Sequence, residues 1–131
     1  MIYFEAGGPQ LELSQEDLKQ GIQQALENLG ERRKVLAIPP DITRYYSQAG
    51  LLTQFAYDFY GERLTDILPA LGTHAPMTPP EIERMFGDLP QSLFRVHDWR
   101  NDVVSLGEVP GSYIDTVSEG RISYPWDFIV I

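Results

Sequence analysis

Short apolar runs alternate with segments of helical period along most of this chain, and that alternation restricts the fold more than any other feature. Val35-Leu36-Ala37-Ile38, closed by Pro39-Pro40, reads as a buried strand. Asp66 to Leu71 reads as a second, short, bent or at an edge where Pro69 cannot donate to a ladder, and Leu93-Phe94-Arg95-Val96 as a third. Between them lie helical patterns. Ser14, with Asp17 as a weak capping-box partner, opens a helix whose Leu18, Ile22, Leu26 and Leu29 share a face and whose stop is Gly30. A second helix is expected from Ser47, with Leu52, Phe55, Ala56 and Phe59 on its apolar face and Gly61 at its end. Thr78-Pro79-Pro80-Glu81 combines a cap, an early proline and a capping-box glutamate ahead of Ile82, Met85 and Phe86.

Strand, helix, strand, helix, strand implies parallel pairing with right-handed crossovers. The remainder reads as β: Leu11 and Leu13 as a short strand, Val103 to Val109 and Ser112 to Val117 as a hairpin around Pro110-Gly111, a turn at Ser118-Glu119-Gly120, and a final strand from Phe128 to Ile131. The expected fold is α/β: three layers, a mainly parallel sheet with helices on both faces, and a β-hairpin excursion. At 131 residues this is a single domain, residues 1–131, large enough to bury roughly two thirds of its unfolded surface without staples. The last six residues, from Trp126, form an apolar run with no polar tail, which suggests the N-terminal part of a longer protein.

Composition removes several functions. With no cysteine there is no disulfide framework, thiolate metal site or cysteine nucleophile, and with two histidines a closed zinc site is not expected. A net charge of −9 argues against nonspecific nucleic-acid binding and against docking on anionic lipid. No run reaches the roughly 20 apolar residues of a membrane span, and the start lacks a signal-peptide pattern, so the cytosol is the expected location.

In an open parallel sheet, ligands bind beyond the carboxyl ends of the strands. The three expected strands are followed by Asp41-Ile42-Thr43-Arg44, by Gly72 to Thr78 including Thr73 and His74, and by His97-Asp98-Trp99-Arg100. On one edge these loops would gather an acid, a hydroxyl, an arginine to clamp a carboxylate or phosphate, and histidines able to move a proton near neutral pH. Each has a plainer reading as well: Asp41 as a turn cap, Arg44 and His74 as solvated loop residues, His97-Asp98 as a strand end, and Tyr45, Tyr46, Trp99 and Trp126 as packing.

As a set, the loops resemble one family. Asp41-Ile42-Thr43-Arg44 is similar to its Asp-x-Thr-Arg motif, and Gly72-Thr73-His74-Ala75-Pro76-Met77-Thr78 to its Gly-Thr-His-Arg-Pro-Met-Thr motif, with His97-Asp98 and Leu106-Gly107 following in the same order. The family is the nickel-dependent lactate racemases and their homologues, and the resemblance runs from about Ile2 to Ile131. It implies the N-terminal domain of a two-domain 2-hydroxy-acid racemase or epimerase, inactive alone, which transfers hydride to a nickel-pincer nucleotide. It also implies roles: His74 as one of two acid/base histidines, Asp41 as a catalytic residue supporting the polar network of the same pocket, Arg44 orienting the substrate carboxylate, and Thr43, Gly72 and Thr73 against the cofactor. The second acid/base histidine, the anchoring lysine and the nickel ligand of the family fall beyond the matched segment, and His97 is not in the second histidine's motif. Ala75 stands where the family has Arg, and Tyr45 where it has Pro. The implied partners are a small 2-hydroxy acid and a C-terminal domain or separate subunit. The other readings are a stand-alone nucleotide- or carboxylate-binding module and a half-enzyme needing a second chain.

Overall fold

The computed structural model describes residues 2–98 and 100–130, without the side chains of 128–130. The chain is α/β and falls into two compact units, one ending at Val96 and the other starting at His97. The first holds α1 (Gln15–Leu29), β1 (Val35–Ala37), a 3₁₀ helix (Ile42–Ser47), α2 (Ala49–Tyr60), β2 (Leu64–Ile67) and α3 (Pro79–Phe86). The second holds β3 (Val104–Val109), α4 (Gly111–Val117) and β4 (Trp126–Val130).

In the first unit the capping chemistry determines where helices start. Ser14 and Asp17 cap α1 reciprocally, and Thr78 and Glu81 do the same for α3. The second helix starts at Ala49 rather than Ser47, because the 3₁₀ helix runs through Ser47 and Gln48 then takes a left-handed φ of 63°. β1 and β2 are parallel, with Val35 opposite Leu64 and Ala37 opposite Ile67. The pairing continues past both strands: Leu68 N–H donates to Ala37 O and Ala70 N–H to Pro39 O, each at 2.8 Å. The prolines do not interrupt this side of the ladder, since only their carbonyls are needed there.

The third strand shrinks to a single parallel bridge between Ile67 and Phe94, with Arg95 N–H on Ile67 O. Pro90 and the 3₁₀ turn Gln91–Leu93 take up the residues that would lengthen it. The expected strand at Leu11 and Leu13 is also absent; these residues line a hollow with Phe4 beside α1.

The core is Tyr60, Leu64, Ile67, Met85, Phe86 and Leu89, with Val35 and Ala37 packed against it. Strand alternation sends Leu36 and Ile38 the other way, where they are 51% and 62% exposed, so β1 lacks the cover on both faces that its apolar run suggested.

The second unit replaces the hairpin. Pro110 O accepts the N–H groups of Tyr113 and Ile114, so the chain enters α4 where a second strand was expected, and Ile114 is buried. β3 pairs instead with β4, antiparallel, with an irregularity between Ser105 and Gly107. The final strand therefore does not join the parallel ladder. Its last residue, Ile131, and the packing of Trp99 lie outside the described residues.

Gly50 marks the closest helix approach: a Cβ there would sit 1.9 Å from Met85 O, backbone against backbone. In an open helix Gly→Ala stabilises. Here Gly50→Ala should destabilise by about 1–3 kcal/mol through overpacking, read as a lower midpoint in urea unfolding followed by circular dichroism. A raised midpoint would show that α2 and α3 are not in this contact.

Candidate active site

Asp41 follows β1 and caps the 3₁₀ helix, so its side chain turns back over the backbone. One carboxylate oxygen, Oδ1, accepts both the backbone N–H of Thr43, at 3.0 Å, and the Thr43 hydroxyl. The other, Oδ2, lies 2.5 Å from Nδ1 of His74. His74 stands in the loop after β2, where Gly72 adopts a φ of +57° and His74 N–H closes a turn onto Leu71 O at 3.0 Å. The left-handed φ is one that glycine accepts without strain. Because β1 and β2 are parallel, their following loops emerge on the same edge, and the pair forms across 33 residues of sequence.

The electrostatics of the pair follow from its burial. The Asp41 side chain is 5% exposed and that of His74 56%. Burial opposes ionisation of Asp41, but hydrogen bonds from Thr43 and then His74 outweigh it and hold the carboxyl below its ordinary value. An ionised carboxylate can only accept, so Nδ1 carries the proton and donates. That leaves the Nε2 lone pair of the neutral ring free, on an accessible side chain. The arrangement has the form of a general base whose tautomer is set by a buried acid.

The structure therefore brings Asp41, Thr43 and His74 together. Thr43 directs its two donors to Asp41, and Thr73 sits in the exposed turn. Arg44 is exposed, three residues from Asp41, with a backbone (φ −108°, ψ 29°) that departs from helical geometry inside the 3₁₀ segment. His97 belongs to the other unit. It is buried, and neither ring nitrogen has a hydrogen-bond partner among the described residues. Asp98 caps a turn through the N–H groups of Arg100 and Asn101. The direct bond between Asp41 and His74 is the feature that sequence reasoning missed. Its signal was a cap residue and a loop histidine following two strands of the same direction.

Nickel chemistry places a test on these residues. Among the described residues no three His, Cys, Asp or Glu side chains are grouped as metal ligands. Asp41 already occupies one nitrogen of His74, and one remaining imidazole nitrogen is too small a donor set for a nickel site. The described residues of this chain do not by themselves make a nickel site.

The Asp41 pairing has a pH signature. A carboxyl whose folded value lies below its unfolded value, about 3.9, contributes stability that is fully present above the unfolded value and lost as pH falls through the folded one. Asp41→Asn lacks that contribution. Its deficit in unfolding free energy should be widest near neutral pH and should narrow in acid, measured by urea melts at several pH values. A deficit independent of pH would show that the charge of Asp41 is not what the site uses.

No family model matches the chain, and neither does any curated protein. Among solved structures, the crystal structure of a structural-genomics target from Thermotoga maritima is similar, with 28% sequence identity and a TM-score of 0.73. The match covers 90% of this chain and 30% of that one, so the chain spans under a third of the length of the protein it resembles.

Proposed function

We propose that this chain is the N-terminal catalytic part of a 2-hydroxy-acid racemase or epimerase similar to the nickel-dependent lactate racemases, acting in the cytosol. The observation that carries the reading is the Asp41–His74 pair at the carboxyl ends of two adjacent parallel strands. On this reading the short ladder is part of a larger three-layer, mainly parallel sheet.

Each residue then has a definite task. His74 Nε2 removes the hydroxyl proton of the 2-hydroxy acid and returns it in the reverse direction. Asp41 holds the ring in the tautomer with Nε2 unprotonated and stabilises the cation that forms. Thr43 fixes the rotation of the Asp41 carboxylate by bonding its far oxygen. Arg44, a cation on the same loop, receives the substrate carboxylate as a charge-assisted pair. Ala75, next to His74 in the loop, adds no second charge. Inverting the carbon also requires the C2 hydride to leave and return on the other face, chemistry that the nickel-pincer nucleotide implied by the resemblance would supply, together with a second proton-transferring group on the opposite side and the lysine anchor and nickel ligand that would hold that nucleotide. These come from a C-terminal domain or a partner subunit.

The test uses D- and L-lactate with chiral chromatography. The 131-residue chain alone should leave both enantiomers unchanged, with or without nickel. In the protein completed by its remaining domain or subunit, His74→Ala should lower turnover by about 10²–10⁴, with only a modest fall in melting temperature, since Thr43 still bonds Asp41. Arg44→Ala should chiefly raise KM, and Asp41→Asn should lower kcat. Wild-type turnover in the His74 variant would remove this residue from the mechanism. Racemisation by the isolated chain would overturn the assignment as a whole.

A further inference from the structure

A concavity lies between the 3₁₀ helix, the start of α1, the start of α2 and α3. It encloses about 280 Å³ and is lined by Gln15, Tyr45, Tyr46, Gln48, Gln54 and Arg84, above Met85. None of these residues belongs to the Asp41–His74 site.

Its chemistry is unlike the rest of the surface. The chain has 19 acidic residues against 10 basic ones, yet no acid lines this hollow. Of the carboxylates close by in sequence, Glu16 accepts from Gln20, Asp17 closes the cap with Ser14, and Glu81 closes the cap with Thr78, while Glu83, next to Arg84 in the chain, does not line the hollow. Arg84 is the one formal charge among the lining residues, and it has no ion pair among the described residues. What holds it is the ring of Tyr45, whose centroid lies 4.9 Å from the guanidinium carbon. Aromatic contact fixes the guanidinium without using its N–H groups, so they remain available for an oxyanion. Tyr46 stands nearly perpendicular to Tyr45, at 82° and 5.2 Å between centroids, and is 86% exposed. It offers a free aromatic face at the rim. Three glutamine amides complete the wall and can both donate and accept.

The geometry points to a binding site for an aryl oxyanion: a flat ring carrying a carboxylate or a phosphate, with the oxyanion on Arg84, the ring against Tyr46 and the polar substituents on the glutamines. A cation has no counter-charge here. A bare inorganic anion would leave the aromatic face unused.

Titration of the isotopically labelled chain by nuclear magnetic resonance tests this, with benzoate and phenyl phosphate as probes and inorganic phosphate and acetate as their ring-free counterparts. Saturable shifts are expected at residues 45–48 and on α3, and the stronger of the two aryl probes identifies the oxyanion. The ring-free anions should bind the same place at least about tenfold more weakly, since stacking is worth a kilocalorie-scale gain. Arg84→Gln should weaken the aryl probe by about tenfold or more, Arg84→Lys by less, and Tyr46→Ala should remove the advantage of the ring. Both positions are exposed, so these variants should fold. His74→Ala should leave the titration unchanged, which separates this site from the proposed active site. Absence of saturation by either aryl probe up to about 10 mM, a range that covers the weakest useful affinities, would overturn the proposal. So would an affinity indifferent to Arg84→Gln, or one lost in His74→Ala.

Discussion

Everything functional in the first unit depends on the parallel pairing of β1 with β2. Parallel neighbours cannot be joined by a tight turn. They need a crossover, here supplied by the 3₁₀ helix and α2. The same constraint puts the ends of both strands on one edge. The ladder then runs on through Ala37 and Pro39, whose carbonyls receive Leu68 and Ala70. That extension carries the backbone as far as Asp41 on one side and Leu71 on the other, so the loop chemistry begins from a fixed frame.

Asp41 links the local and tertiary levels. Its carboxylate ends a strand, caps a 3₁₀ helix, orders Thr43 and bonds His74, so one buried charge is stabilised by several donors at once. Buried acids are costly without such partners. The His74 side chain is exposed while Asp41 is buried, an asymmetry that suits the proposed proton transfer. A wholly buried histidine such as His97, with neither nitrogen hydrogen-bonded among the described residues, has no comparable arrangement.

The parts of the fold legible in the sequence were those encoded within a few residues. Ser14 with Asp17 and Thr78 with Glu81 announced α1 and α3, and both capping boxes form. Val35 to Ile38 and Asp66 to Leu71 read as strands from apolar runs, and strands form at both places, the first over Val35–Ala37 and the second displaced to Leu64–Ile67. Elsewhere the local signal pointed two ways. Pro110-Gly111 suits a hairpin turn, but it also suits a helix start, and burial of Ile114 together with the pairing of β3 to β4 favours the helix. Leu93 to Val96 has strand composition, yet Pro90 and the turn after it leave a single bridge. The left-handed Gln48 that delays α2 has no sequence signature of the kind glycine would provide.

The candidate site divides in the same way. The sequence by itself determined the residue types and the side of the sheet: an Asp-x-Thr-Arg loop and a Gly-Thr-His loop, each following a strand, because strand polarity and turn residues are local properties. Only the tertiary structure decided that Asp41 and His74 bond to each other, that Thr43 serves Asp41, and that Arg84 rests on Tyr45 with no ion pair among the described residues. Those contacts depend on loop conformation and helix packing across 33 and 39 residues of chain, and such distances carry no periodic trace in the sequence. What sets them is the register of the β1–β2 ladder and the close approach of α2 to α3 at Gly50, both of which exist only once the core has formed.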